Sequence, residues 1–101
     1  MLVDDIKISE IDKPYIIAEL SANHGGNIER AKKSIEMAAK TGVSAVKLQT
    51  YTPDTMTIKS NLPNFKVSDG LWAGRTLYDL YSEAYTPYEW HKELFKHAHA
   101  H

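Results

Sequence analysis

Two short apolar runs, Tyr15 to Leu20 and Val43 to Gln49, stand on either side of a single helix-length stretch. That spacing leaves few folds open. Two strands joined by one helix and short loops pair in parallel through a right-handed crossover. Each run also carries a charge, Glu19 in the first and Lys47 in the second, where a buried strand holds Val or Leu. A carboxylate or ammonium in such a place is costly unless it is paired or employed in a site.

The stretch between the runs has the marks of a helix over residues 28–40. Ile28, Ala31, Ile35 and Ala38 fall on one face, and the charged residues lie mostly away from it. Asn27 is a good N-cap, Glu29 and Lys40 suit the helix dipole, and Thr41-Gly42 is a stop signal. Pro14 sets the start of the first strand, whose near-continuous apolar character suits a strand covered on both faces. Upstream, the alternation from Ile6 to Ser9 predicts a short edge strand or hairpin arm.

Downstream, residues 50–75 are irregular, punctuated by Pro53, Pro63, Gly70 and Gly74, a length that marks a functional or disordered loop. Thr76 to Ala84 reads as a short helix with Leu77, Leu80 and Tyr81 as its apolar strip. Thr86, Pro87 and Glu89 have the spacing of a capping box, predicting a last helix that buries Trp90, Leu94, Phe95 and Ala98. The order is β-α-β-α with no internal domain boundary. Two parallel strands with helices on one side leave edges and a sheet face uncovered, so the expectation is part of a larger domain.

Composition excludes several classes. The 101 residues hold 12 Lys and Arg against 13 Asp and Glu, so nothing favours nucleic acid or an anionic membrane as partner. No cysteine is present, which excludes disulfides and Cys-based zinc sites and fits a reducing cytoplasm. No apolar run approaches the roughly 20 residues that span a bilayer, and the acidic N-terminus is unlike a signal peptide. A soluble, cytoplasmic chain is expected.

Strand alternation puts Ala45, Lys47 and Gln49 on one face and Val46 and Leu48 on the other. Glu19 shares its face with Ile17. The carboxyl ends of neighbouring parallel strands lie at one edge, so Glu19, Lys47 and Gln49 converge there with Asn23 and His24 of the following loop. In α/β folds that edge binds ligands. A purely structural Glu19–Lys47 ion pair is the competing reading. His91, His97, His99 and His101 receive no site assignment, because no second ligand set accompanies them. Gly25-Gly26 before a helix lacks the dinucleotide or P-loop spacing. Trp72 stands apart from the other aromatics in the long loop between Gly70 and Gly74, where a flat apolar group can stack on a sugar ring or acetamido methyl.

With these residues the chain resembles the N-terminal part of the sialic acid synthase family. The Ile-Ala-Glu-x-x-x-Asn-His-x-Gly signature is matched from Ile17 to Gly26, and Val-Lys-x-Gln-Thr from Val46 to Thr50. Thr50 to Asp54, Leu71-Trp72, Leu77 to Tyr81 and Thr86 to His91 resemble the pseudaminic acid synthase branch. The resemblance implies the first part of a metal-dependent (β/α)8 TIM barrel that condenses phosphoenolpyruvate with an N-acetylated amino sugar, here a diacetamido-trideoxy-altrose. A divalent metal, Mn or Mg, would polarise the sugar aldehyde. Lys47 would bind the anionic groups of phosphoenolpyruvate, and Glu19 and Gln49 would contact the sugar, with Glu19 a candidate for proton handling. Trp72 would face the deoxygenated sugar.

The same resemblance implies that the metal-binding histidines lie outside this chain and that His24 is not one of them, so no metal ligand is assigned here. It also implies a homodimer with a C-terminal antifreeze-like domain. A TIM barrel needs about 250 residues, so the 101-residue chain is expected to be inactive alone. An N-acetylneuraminate or legionaminate synthase, or a non-catalytic domain that self-associates through open strand edges, remain the alternatives.

Overall fold

A computed structural model describes residues 1–101. It opens with a hairpin of β1 (Leu2–Val3) and β2 (Ile6–Lys7), paired antiparallel with Val3 opposite Ile6. The two-residue turn between them, Asp4-Asp5, has both φ angles positive, the twist that closes a tight hairpin. The expected edge strand is thus one arm of this hairpin.

The main sheet has two parallel strands, β3 (Ile17–Glu19) and β4 (Ala45–Lys47), joined through α1 (Ile28–Lys40). Backbone bonds extend the pairing at both ends: Ser44 N donates to Ile16 O at 2.8 Å and Leu20 N to Lys47 O at 3.0 Å. Helix α1 begins where the Asn27 side chain accepts from Arg30 N–H and ends at Thr41, followed by Gly42 at φ +80°. Both stops match the sequence reading, because each depends on residues adjacent in the chain.

After β4 comes α2 (Pro53–Met56), then a one-turn 3-10 helix at Pro63–Phe65, α3 (Leu77–Ala84), a second 3-10 turn at Tyr88–Trp90 and α4 (His91–His99). The long segment is therefore partly ordered. Tyr78 of α3 donates its hydroxyl to Asp54 of α2 at 3.2 Å, Arg75 grips Glu83 through two bonds of 2.7 and 2.8 Å, and Lys66 bridges to Thr76.

The core is one thin layer. Leu20, Ala31, Ile35 and Leu94 are buried together, with Ile28, Val46, Leu48, Trp90 and Ala98 packed around them. Helix α4 crosses α1 here, and Lys32 of α1 ties the two by pairing with both Glu29 and Glu93. Only eight of 101 residues are buried, and the radius of gyration is 16.6 Å against about 13 Å for a self-contained domain of this length. The sheet face opposite the helices carries half-exposed Ile17, Glu19 and Lys47. No helix is long and apolar enough to cross a membrane.

Three expectations change. The first strand is not covered on both faces: Ile17 stays 55% exposed, since only the α1 side carries a helix. Phe95 points outward at 53% exposure, because Leu94, one residue away on the helix, takes the place against α1. Thr86 does not cap the last helix. Its hydroxyl is committed to His24, and the chain enters α4 through the 3-10 turn instead.

Candidate active site

The parallel register sets Glu19 directly beside Lys47 at the carboxyl end of the sheet. Lys47 Nζ donates to Glu19 Oε1 at 3.0 Å. The side chains remain 49% and 60% exposed, so the pair sits on the open face rather than under a helix. An ammonium has three donors, and Glu19 takes one of them. Lys47 is thereby aimed by its neighbour and keeps two further donors.

Gln49 follows at the same edge. Its backbone carbonyl accepts from Thr86 N at 2.8 Å, and its amide donates to the Tyr51 hydroxyl at 3.4 Å. Tyr51 is buried against the rings of Tyr81 and Tyr85, and desolvation pushes its phenol pKa above the ordinary value. Thus the end of β4 is anchored by α3 and by the chain leading into α4.

The loop after β3 turns sharply. Ser21 adopts φ +48°, a conformation L-residues other than Asn and Asp visit rarely. Asn23 then folds back, its side-chain N–H donating to Leu20 O at 3.0 Å while the residue stays exposed. His24 behaves differently from the expectation. It is fully buried, stacked edge-on against Trp90 at 5.2 Å, and both ring nitrogens are engaged. Gly26 N–H donates to Nδ1 at 3.0 Å, so the ring proton resides on Nε2, which faces the Thr86 hydroxyl at 3.2 Å. Burial pushes the His24 pKa below its ordinary value, favouring this neutral form. His24 holds the loop in place and offers no nitrogen to a ligand.

Trp72 is also placed elsewhere. It lines a cleft of about 420 Å³ with Ala22, Gly25, Gly26, Pro87 and Trp90, which contains neither Glu19 nor Lys47 nor Gln49. The Arg75 guanidinium lies 5.4 Å from its ring centre, and Arg75 is itself fixed by Glu83. The structure therefore joins Glu19 and Lys47, ties Gln49 to Tyr51 and Thr86 and Asn23 to Leu20, and places His24 and Trp72 away from the pair. Thr86 went unrecognised as the partner of His24, because the two are 62 residues apart and Thr86 also has the spacing of a cap.

A divalent cation does not fit the residues gathered here. Glu19 Oε1 accepts from an ammonium and the His24 imidazole is closed off, which leaves too few free ligand atoms for a divalent cation. Any catalytic metal must take its ligands from residues other than these.

Residues 34–101 match the NeuB family. The chain belongs to the NeuB family. It is 55% identical over 86 residues to pseudaminic acid synthase of Campylobacter jejuni and 47% identical over 86 residues to that of Helicobacter pylori, covering 85% of this chain in each case. An N-acetylneuraminate-9-phosphate synthase of Drosophila melanogaster is 36% identical over the whole chain. This NeuB family chain spans about a quarter of the length of these relatives.

Proposed function

We propose that this chain forms the first β-α-β-α portion of a pseudaminic acid synthase, a TIM-barrel enzyme that joins phosphoenolpyruvate to a diacetamido-trideoxy-altrose. The carrying observation is the register of Glu19 beside Lys47 at the carboxyl end of two parallel strands, on a sheet face left open to solvent. The higher identity to pseudaminic acid synthases than to the neuraminate-type relative favours this sugar over N-acetylmannosamine. An apolar groove of about 430 Å³ beside β4, lined by Val46, Leu48, Leu94 and Ala98, supports the barrel, since the next strand-helix unit would fill it.

In the proposed reaction the enol carbon of phosphoenolpyruvate attacks the open-chain aldehyde carbon. Water adds to the resulting cation, and phosphate leaves with C–O cleavage. Lys47 holds the anionic groups of phosphoenolpyruvate through the donors Glu19 leaves free, which lowers the cost of bringing a trianionic substrate to the edge. Glu19 aims Lys47 and stands where a sugar hydroxyl or the water can exchange a proton with it. Gln49 and the side-chain carbonyl of Asn23 supply hydrogen bonds to the sugar. A divalent metal, Mn or Mg, would be held by residues other than these, the enzyme would act as a cytoplasmic homodimer, and the isolated 101-residue chain would not turn over.

The test is a chimaera in which this chain replaces the matching N-terminal quarter of the Campylobacter enzyme. Phosphate release with phosphoenolpyruvate and the diacetamido sugar is expected. Turnover of N-acetylmannosamine alone would overturn the sugar assignment, and a well-folded chimaera without turnover of either would overturn the reading.

A further inference from the structure

Far from the strand ends, Glu36 of α1 meets His97 and His101 at the end of α4. Their ligand atoms all lie within 4.8 Å of one another. The packing explains why. Ile35 and Leu94 bring the two helices together, so Glu36, next to Ile35, faces the turn of α4 that follows Leu94. His97 sits in the last turn of α4 and His101 follows the helix directly after its cap Ala100, close enough for their rings to meet. Glu36 Oε1 is 3.0 Å from His97 Nε2, and the two imidazole rings lie 4.6 Å apart and 38° from parallel. His101 Nδ1 bonds to the His97 carbonyl at 2.9 Å, which places the ring proton there and leaves the Nε2 lone pair free. A backbone carbonyl fixing the far nitrogen is the arrangement that orients a metal-bound histidine.

We propose that Glu36, His97 and His101 bind one zinc-class cation that clamps α1 to α4. One carboxylate and two imidazoles suit Zn, Ni or Cu rather than Mg or Mn. Three protein ligands leave the fourth position to water. Bonds of about 2.0–2.1 Å in a tetrahedron set ligand atoms about 3.3 Å apart, so the exposed His101 ring has to close in by a rotation. His99 does not take part: its ring lies against Phe95, with centres 6.1 Å apart.

His101 and His99 share a groove with Tyr15, Val43 and Ser44, at the start of the strands. The cluster is therefore at the opposite end of the sheet from Glu19 and Lys47, the end that serves stability in barrel folds. Sequence reasoning gives the terminal histidines no second ligand set. The fold supplies it from α1.

Zinc titration of the 101-residue chain against a chromophoric chelator tests this, with cobalt as a spectroscopic substitute. One equivalent should bind, cobalt should show the visible absorption of a four-coordinate site, and the melting temperature should rise. Glu36→Gln and His101→Ala should each weaken binding at least roughly tenfold, and His99→Ala should leave it unchanged. Metal-free circular dichroism checks that the variants keep their helices. Should Glu36→Gln lose them, NMR of the unaltered chain reads whether zinc shifts the Glu36 side chain together with both imidazoles. Absence of binding at micromolar zinc overturns the proposal. So does adventitious binding by the histidine tail only, seen as wild-type affinity in a folded Glu36→Gln variant, as weakening by His99→Ala, or as shifts confined to residues 97–101.

Discussion

The ring of His24 and the hydroxyl of Thr86 meet at 3.2 Å in the interior, joining the loop after β3 to the segment that enters α4. Thr86 also donates its backbone N–H to the carbonyl of Gln49, so one residue ties both strand ends together. The candidate active edge rests on this tie. Thr86→Val removes the hydroxyl while keeping the volume, and leaves the His24 N–H buried without a partner. That should cost about 1–3 kcal/mol, read as a lower urea midpoint, whereas Thr86→Ser should recover part of the loss. Equal midpoints for Thr86→Val and the wild type would mean the bond carries no weight.

His24 also makes stability depend on pH in a stated direction. Its pKa in the folded chain is depressed by burial below the ordinary 6.5, so the unfolded chain binds the proton more readily. Stability tied to this group is fully present above pH 6.5 and is lost as pH falls through the unfolded value towards the folded one. Protonation also places a hydrogen on Nδ1, facing the Gly26 N–H that now donates to it. Urea melts at pH 7.5 and 5.5 (on the order of one unit either side of the free imidazole) should show a drop that His24→Asn diminishes. An identical pH slope in both proteins would assign the drop to other groups.

The α1–α4 contact should dominate stability, because the core is a single layer. Ile35 is 2% and Leu94 1% exposed. Truncating either to alanine should cost about 2–5 kcal/mol, enough to unfold a chain with so little else buried. Phe95→Ala, one residue from Leu94 but 53% exposed, should cost far less in the isolated chain. Thermal melts followed by helix signal separate the two, and similar losses at Leu94 and Phe95 would contradict the packing.

Much of this arrangement was legible in the sequence where the signal is local. Asn27 capping α1 and Thr41-Gly42 ending it depend on neighbours within four residues, and both were readable; Thr76, read as the first helical residue, is instead the cap of α3. The pairing of Glu19 with Lys47 was readable too, since strand parity and parallel order bring both residues to one edge. Contacts that depend on the crossing of distant elements were not. Thr86 carries the same residue pattern whether it caps a helix or binds His24, and only the approach of the chain to the β3 loop decides. Helical periodicity placed Phe95 and Leu94 on one buried strip, while the width of α1 admits only one of them.

Glu19 and Lys47 should separate stability from activity. Their ion pair is half exposed, so Lys47→Ala should change the stability read from urea melts by no more than about 1 kcal/mol. In the chimaeric synthase the same substitution would remove the proposed charged donor to phosphoenolpyruvate, worth roughly ten- to hundredfold in apparent affinity. Glu19→Gln keeps the shape and loses the carboxylate, so it should lower kcat at saturating phosphoenolpyruvate while the fold stays intact. Steady-state kinetics against each substrate, run beside the melts, distinguish a site from a structural pair. If Lys47→Ala destabilises the chain strongly and leaves the KM for phosphoenolpyruvate unchanged, the pair is structural and the active edge lies elsewhere.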